Sequence, residues 1–132
     1  MTASASPPPP EPHGELVMRT IAMPADANAN GDIFGGWLVS QMDLGAAVLA
    51  RETAQSRVTT VAIDGMSFLQ PVNVGDVVTC YATLLGIGRT SMKIDVEVWV
   101  QRYADRALHR VTEGTLTYVA IDNAGKPQPV KR

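Results

Sequence analysis

The chain has 132 residues, 45% of them hydrophobic and 18% charged, with a formal net charge of −2 at pH 7. That is material for one globular domain and too few charges for a disordered chain; the slight acidity disfavours a nucleic-acid partner, since phosphate-backbone readers carry a basic excess. One cysteine, Cys80, excludes an internal disulfide and a multi-cysteine metal site, and no apolar run approaches the ~20 residues that span a bilayer.

In chain order, residues 1–14 come first, with Pro7, Pro8, Pro9, Pro10 and Pro12 close together. Such a stretch has no packable face and is expected to be a disordered tail. It lacks the basic and apolar regions of a signal peptide, so a reducing cytoplasm is the expected setting. Leu16–Met23 reads as a short strand. Pro24–Gly36 is dense in turn formers, and Trp37 to Thr53 is helix-friendly and free of proline. The period then changes. Arg57–Leu69 and Val77–Ile87 are rich in β-branched residues. Ser91–Gln101 alternates strictly, with Met92, Ile94, Val96, Val98 and Val100 on one face. Gly86 to Thr90 suits a hairpin connection, and Leu108–Ile121 is the last strand. The folding unit is expected over 15–123, with 124–132 as a polar C-terminal tail.

Strand, one long helix, then four strands joined by short connections predicts an α+β fold with an antiparallel sheet. The helix covers one sheet face, and the other meets solvent or another chain.

Two features stand out chemically. Asp43 lies mid-helix, with Val39, Ala46 and Ala47 as its neighbours three and four residues away. An aspartate there must find a partner or shift its pKa, so it is a candidate general base or nucleophile. The plain alternative places it at the edge of the apolar stripe, in water or paired to Arg51 or Arg57. The second feature is the loop holding Asn28, Asn30, Gly31, Asp32, Gly35 and Gly36. Gly35 and Gly36 open the helix, where unpaired N–H groups and the dipole suit an oxyanion or a polarised carbonyl. A chain-reversing turn accounts for the same residues. His13 and His109 lack metal-ligand spacing, so no metal site is expected. Arg89, Thr90 and Ser91 could meet a phosphate at a hairpin, although a solvated turn arginine is commoner.

The segment Ala22-Met-Pro-Ala-Asp-Ala-Asn-Ala-Asn-Gly-Asp-Ile-Phe-Gly-Gly-Trp-Leu-Val-Ser-Gln-Met-Asp43 closely resembles the signature of YciA-type acyl-CoA thioesterases, which have the hotdog fold. The likeness continues through Val58-Thr-Thr-Val, Met66-Ser-Phe-Leu-Gln-Pro71, Gly88-Arg-Thr-Ser91 and Tyr118-Val-Ala-Ile-Asp122, over about residues 16–130. The resemblance implies a long central helix wrapped by a curved antiparallel sheet. It also implies a homodimer as the minimal unit, with acyl-CoA tunnels at the interface, and a hexamer built as a trimer of dimers.

By the same resemblance, Asp43 is the essential helix carboxylate, which activates water or attacks the thioester. Gly35 donates its N–H to the thioester carbonyl, with Gly36 beside it in the substrate site. Asn28 positions water or substrate from the partner subunit, and Thr60 places a hydroxyl near the carboxylate. Arg89 and Ser91 lie near the CoA moiety. No cofactor is implied, because coenzyme A is part of substrate and product. Gly35 and Asp43 are eight residues apart, about 12 Å along a helix, too far to serve one thioester unaided; this favours a site shared between two chains. Two other readings stand beside hydrolysis: a non-catalytic acyl-CoA binding or sensing protein, and a hydratase. The second usually needs a histidine that this helix and loop lack.

Overall fold

A computed structural model of the chain describes residues 11–131. The elements are β1 (Glu15–Ile21), a short 3-10 turn (Pro24–Asp26), α1 (Gly35–Ala54), β2 (Arg57–Asp64), β3 (Val77–Ile87), β4 (Ser91–Gln101) and β5 (Leu108–Ile121). The strands form one five-stranded antiparallel sheet in the order β1-β3-β4-β5-β2. The helix lies across one face and touches every strand. This is the expected α+β hotdog architecture.

Local chemistry explains the borders. The helix starts two residues before Trp37. Phe34 holds the N-cap position without a side-chain cap, and the Trp37 amide donates to the Phe34 carbonyl at 3.1 Å. It ends at Ala54 because Gln55 takes a left-handed conformation (φ 54°) and its amide closes on the Arg51 carbonyl. β2 is shorter than the apolar run Arg57–Leu69 suggests. Gly65 turns the chain at φ +71°, and the following residues leave the ladder, returning to β5 where the Leu69 amide donates to the Val111 carbonyl.

The core follows the alternation. Met92, Ile94, Val96, Val98 and Val100 of β4 are all buried beneath the helix residues Leu38, Met42, Ala46 and Ala50. Gly45 allows close approach of β1: a Cβ there would come within 2.9 Å of Val17 Cγ2 and 3.2 Å of Met18 Cβ. Register shifts between Leu16 and Met18, Thr60 and Ala62, Leu84 and Gly86, and Val98 and Trp99 are bulges that bend strands. They curl the sheet about the helix.

Most of the proline-rich segment lies outside the described residues. Its last part runs over the outer sheet face, where the His13 amide donates to Glu97 Oε1 at 3.4 Å. At the other end, the polar 124–132 segment does more than trail from Asn123. The Gln128 amide donates to the Ala120 carbonyl, the Val130 amide donates to the Arg89 carbonyl, and Val130 is buried in the core. A single apolar residue among prolines and lysines gave no periodicity from which to read this docking.

Candidate active site

Asp43 follows the buried Met42 and sits on the flank of α1 that faces β2 and β5. Thr60 of β2 and Tyr118 of β5 are register partners, so both point inward at one level of the sheet. Their hydroxyls converge on the same carboxylate oxygen. Thr60 Oγ1 donates to Asp43 Oδ1 at 2.6 Å, and the Tyr118 hydroxyl lies 2.7 Å from Oδ1 and 2.7 Å from the Asp43 main-chain oxygen. Burial, the hydrogen bond to Asp43 and its negative charge all push the Tyr118 phenol above its ordinary value. It therefore remains a donor throughout the working pH range.

Both donors fall on Oδ1. Among the described residues, none is paired with Oδ2 and no cation forms an ion pair with Asp43. The Arg57 guanidinium reaches the Asn123 carbonyl instead, at 3.3 Å. A carboxylate clamped through one oxygen with the other open is arranged to accept a proton or attack an electrophile. It is not arranged as an ion pair.

Thr60 thus stands beside Asp43, as the resemblance implied. Tyr118 was not singled out from the sequence, although a signal existed. It shares the inward parity of Leu116 and Ala120, and a tyrosine on a core face needs a partner for its hydroxyl. Which partner depends on register, which the sequence does not display.

Asn28 closes its own loop. Its Oδ1 accepts from the Asn30 amide at 2.8 Å and the Asp32 amide at 3.2 Å. The loop is tied to residues 72 and 73 by the Ile33 amide, which donates to the Val72 carbonyl, and by a bridge between Asp32 and Asn73. Gly35 opens the uncapped helix with Gly36 next to it, and the ring of Phe68 lies against Gly35. Arg89 and Ser91 sit on the β3–β4 hairpin. Ser91 pairs with Val119, next to the Met92–Tyr118 pair, so this hairpin is at the Asp43 end of the sheet. Within one protomer the candidates form two groups. Asp43, Thr60, Tyr118 and the hairpin make one; the helix start and Phe68 make the other, about 12 Å away along the helix axis.

A separate acidic cluster lies on the outer sheet face. Carboxylate oxygens of Asp95, Glu97 and Glu113 are within 4.8 Å of one another, and Glu97 stands directly opposite Glu113 across the strands. Burial, with Glu113 as hydrogen-bond partner and neighbouring charge, pushes Asp95 up to about 7. The Trp99 indole donates to Glu97 at 2.8 Å, which gives the buried Glu97 carboxylate a partner on β4's outer face.

The thioesterase-superfamily model matches residues 30–105. The chain is 57% identical over 122 residues to the acyl-CoA thioester hydrolase YciA of Salmonella typhimurium, covering 90% of this chain and 92% of that protein. A hexameric thioesterase from Yersinia pestis superposes with a TM-score of 0.88 at 58% identity, over 92% of this chain and 99% of the other. HI0827, a hexameric broad-specificity acyl-coenzyme A thioesterase, gives a TM-score of 0.89 at 51% identity, over 93% and 85%. Among the described residues, no helix is long and apolar enough to cross a membrane. Fold, clamped carboxylate and overall likeness agree: this chain belongs to the thioesterase superfamily and, within it, to the YciA-type acyl-CoA thioester hydrolases.

Proposed function

We propose that the protein hydrolyses acyl-CoA to a free carboxylic acid and CoA, with Asp43 as the catalytic carboxylate. The observation that carries this is the clamp: Thr60 and the buried Tyr118 hold Oδ1 and leave Oδ2 open. Along the general-base route, Oδ2 takes a proton from water as the water oxygen attacks the thioester carbonyl carbon. The oxyanion that forms is met by the N–H of Gly35 at a helix start, with Gly36 alongside. The C–S bond then breaks, and the CoA thiolate takes the proton. Along the nucleophilic route, Oδ2 itself attacks the carbonyl carbon, the C–S bond breaks and CoA leaves as thiolate, which takes a proton from water; a second water then cleaves the mixed anhydride to release the acid and restore Asp43. Either way a positioned carboxylate and an oriented donor each contribute on the order of 10²–10³-fold, and a thioester asks for no cofactor beyond that.

The separation of Asp43 from Gly35 supports a site built from two chains, with Asp43 of one protomer facing the helix start and Asn28 of another. β2 is an open sheet edge carrying the exposed Val61 and Ile63, and α1 exposes Leu44 and Val48. These surfaces suit a homodimer; the hexameric state of the two similar structures supports a trimer of dimers. Arg89 and Ser91, on the hairpin beside Tyr118, are placed to meet the CoA moiety. The single, buried Cys80 and a CoA thioester substrate suit a cytoplasmic enzyme.

The deciding experiment is steady-state release of free CoA from a panel of acyl-CoAs. Wild type turns over, and Asp43→Ala falls to background while still binding acyl-CoA. Equal rates for the two would overturn the proposal, and binding without turnover in wild type would identify a sensing protein.

A further inference from the structure

Phe68 is a large apolar side chain that is 49% exposed, yet it stands on backbone that is held on both sides. Thr112 Oγ1 donates to the Ser67 carbonyl at 2.8 Å, and the Leu69 amide donates to the Val111 carbonyl at 2.7 Å. Just before it, Met66 fills the space that Gly114 leaves: a Cβ on Gly114 would come within 2.6 Å of Met66 Cγ. Farther along, the buried Asp76 accepts from the Asn73 amide at 2.9 Å and pairs with Arg102 Nη1 at 2.6 Å, and Arg102 Nη2 also reaches Gln70. The segment therefore cannot retreat as a unit, and the Phe68 ring is carried to one place.

That place is the helix start. Ring carbons of Phe68 lie 3.2, 3.3 and 3.7 Å from where a Cβ on Gly35 would be. Gly35 is not among the glycines with positive φ, so backbone conformation does not require glycine there. The ring does. Phe34, the uncapped N-cap residue, is also half exposed beside it. The helix's open N–H groups are thus flanked by aromatic surface, which restricts both water and ligand bulk next to them.

We propose that Phe68 is a specificity-determining residue, its ring forming the wall beside the thioester carbonyl and limiting substituents on the acyl carbon next to it. This rests on the reading of Gly35 as the carbonyl's donor. A methylene's worth of space in an apolar pocket is worth roughly 10–200-fold in kcat/KM.

The test compares linear butyryl-CoA with isobutyryl-CoA and benzoyl-CoA, whose bulk begins at the carbon next to the carbonyl. Phe68→Ala is expected to raise the bulky-to-linear ratio of kcat/KM at least about tenfold, with Phe68→Leu between it and wild type. A ratio unchanged in both variants, or an equal loss on all substrates, would overturn the proposal. A Gly35→Ala, Phe68→Leu cycle serves if Phe68→Ala does not fold. Gly35→Ala alone should lose activity that Phe68→Leu largely restores, and strict additivity would count against the wall. Failure of wild type to hydrolyse butyryl-CoA would instead defeat the thioesterase reading itself.

Discussion

Tyr118→Phe removes one oxygen from a fully buried side chain and leaves the ring, so the core keeps its packing. What disappears is the donor 2.7 Å from Asp43 Oδ1. A hydrogen bond to a charged group is worth about 1.5–3 kcal/mol net. Thr60 still donates to the same oxygen at 2.6 Å, so the carboxylate retains one of its two tethers and the lower end applies. At 1.4 kcal/mol per factor of ten, kcat should fall roughly tenfold, and by roughly a hundredfold or more when Thr60→Val is added. Tyr118 has no exposed surface with which to touch substrate, so KM should stay near the wild-type value. CoA release, followed with a thiol reagent over a range of butyryl-CoA concentrations, separates the two constants. A wild-type kcat, or a raised KM at constant kcat, would refute Tyr118 as a positioning residue for Asp43.

The acidic cluster gives a pH-dependent stability. Asp95 titrates at about 7 in the folded chain against its ordinary 3.8, next to Glu113 and Glu97 with Arg110 as the opposing charge. Folding therefore favours the protonated form: its stabilising contribution is complete below about pH 4 and is lost as pH rises through 7. Asp95→Asn should raise Tm over wild type at pH 8 and much less at pH 5; a difference independent of pH would contradict this. Burial pushes the Cys80 thiol up to about 12, so native protein at pH 8 should resist iodoacetamide and react only once unfolded; labelling of native protein, read by mass spectrometry, would count against it. Val130→Ala removes buried methyl surface worth about 1.5 kcal/mol, which should lower Tm by about 5 °C. An unchanged Tm would mean the C-terminal segment adds nothing to the core.

The strands and helix were legible because their periods differ. The alternation of Met92 through Val100 and the change of composition after Thr53 leave little choice. Breaks in that legibility have local causes. Phe68 and Leu69 continue an apolar run, but Gly65 turns the chain out of β2, and only the positive φ there reveals it. Val130 is one apolar residue with no pattern around it.

The site divides the same way. A carboxylate in the middle of an apolar helix is conspicuous in the sequence, because burial makes it costly without a partner. Its partners lie 17 and 75 residues away in the chain, and only the β2–β5 register brings Thr60 and Tyr118 to one level. The sequence by itself determined the elements, their order and Asp43 as the residue to watch, since these depend on local propensity and spacing. Tertiary structure alone decided which oxygen of Asp43 is held and which is open, and that the glycine starting the helix answers to an aromatic ring. Both are long-range contacts, set by how strands pair and segments cross, and neither leaves a periodic trace along the chain.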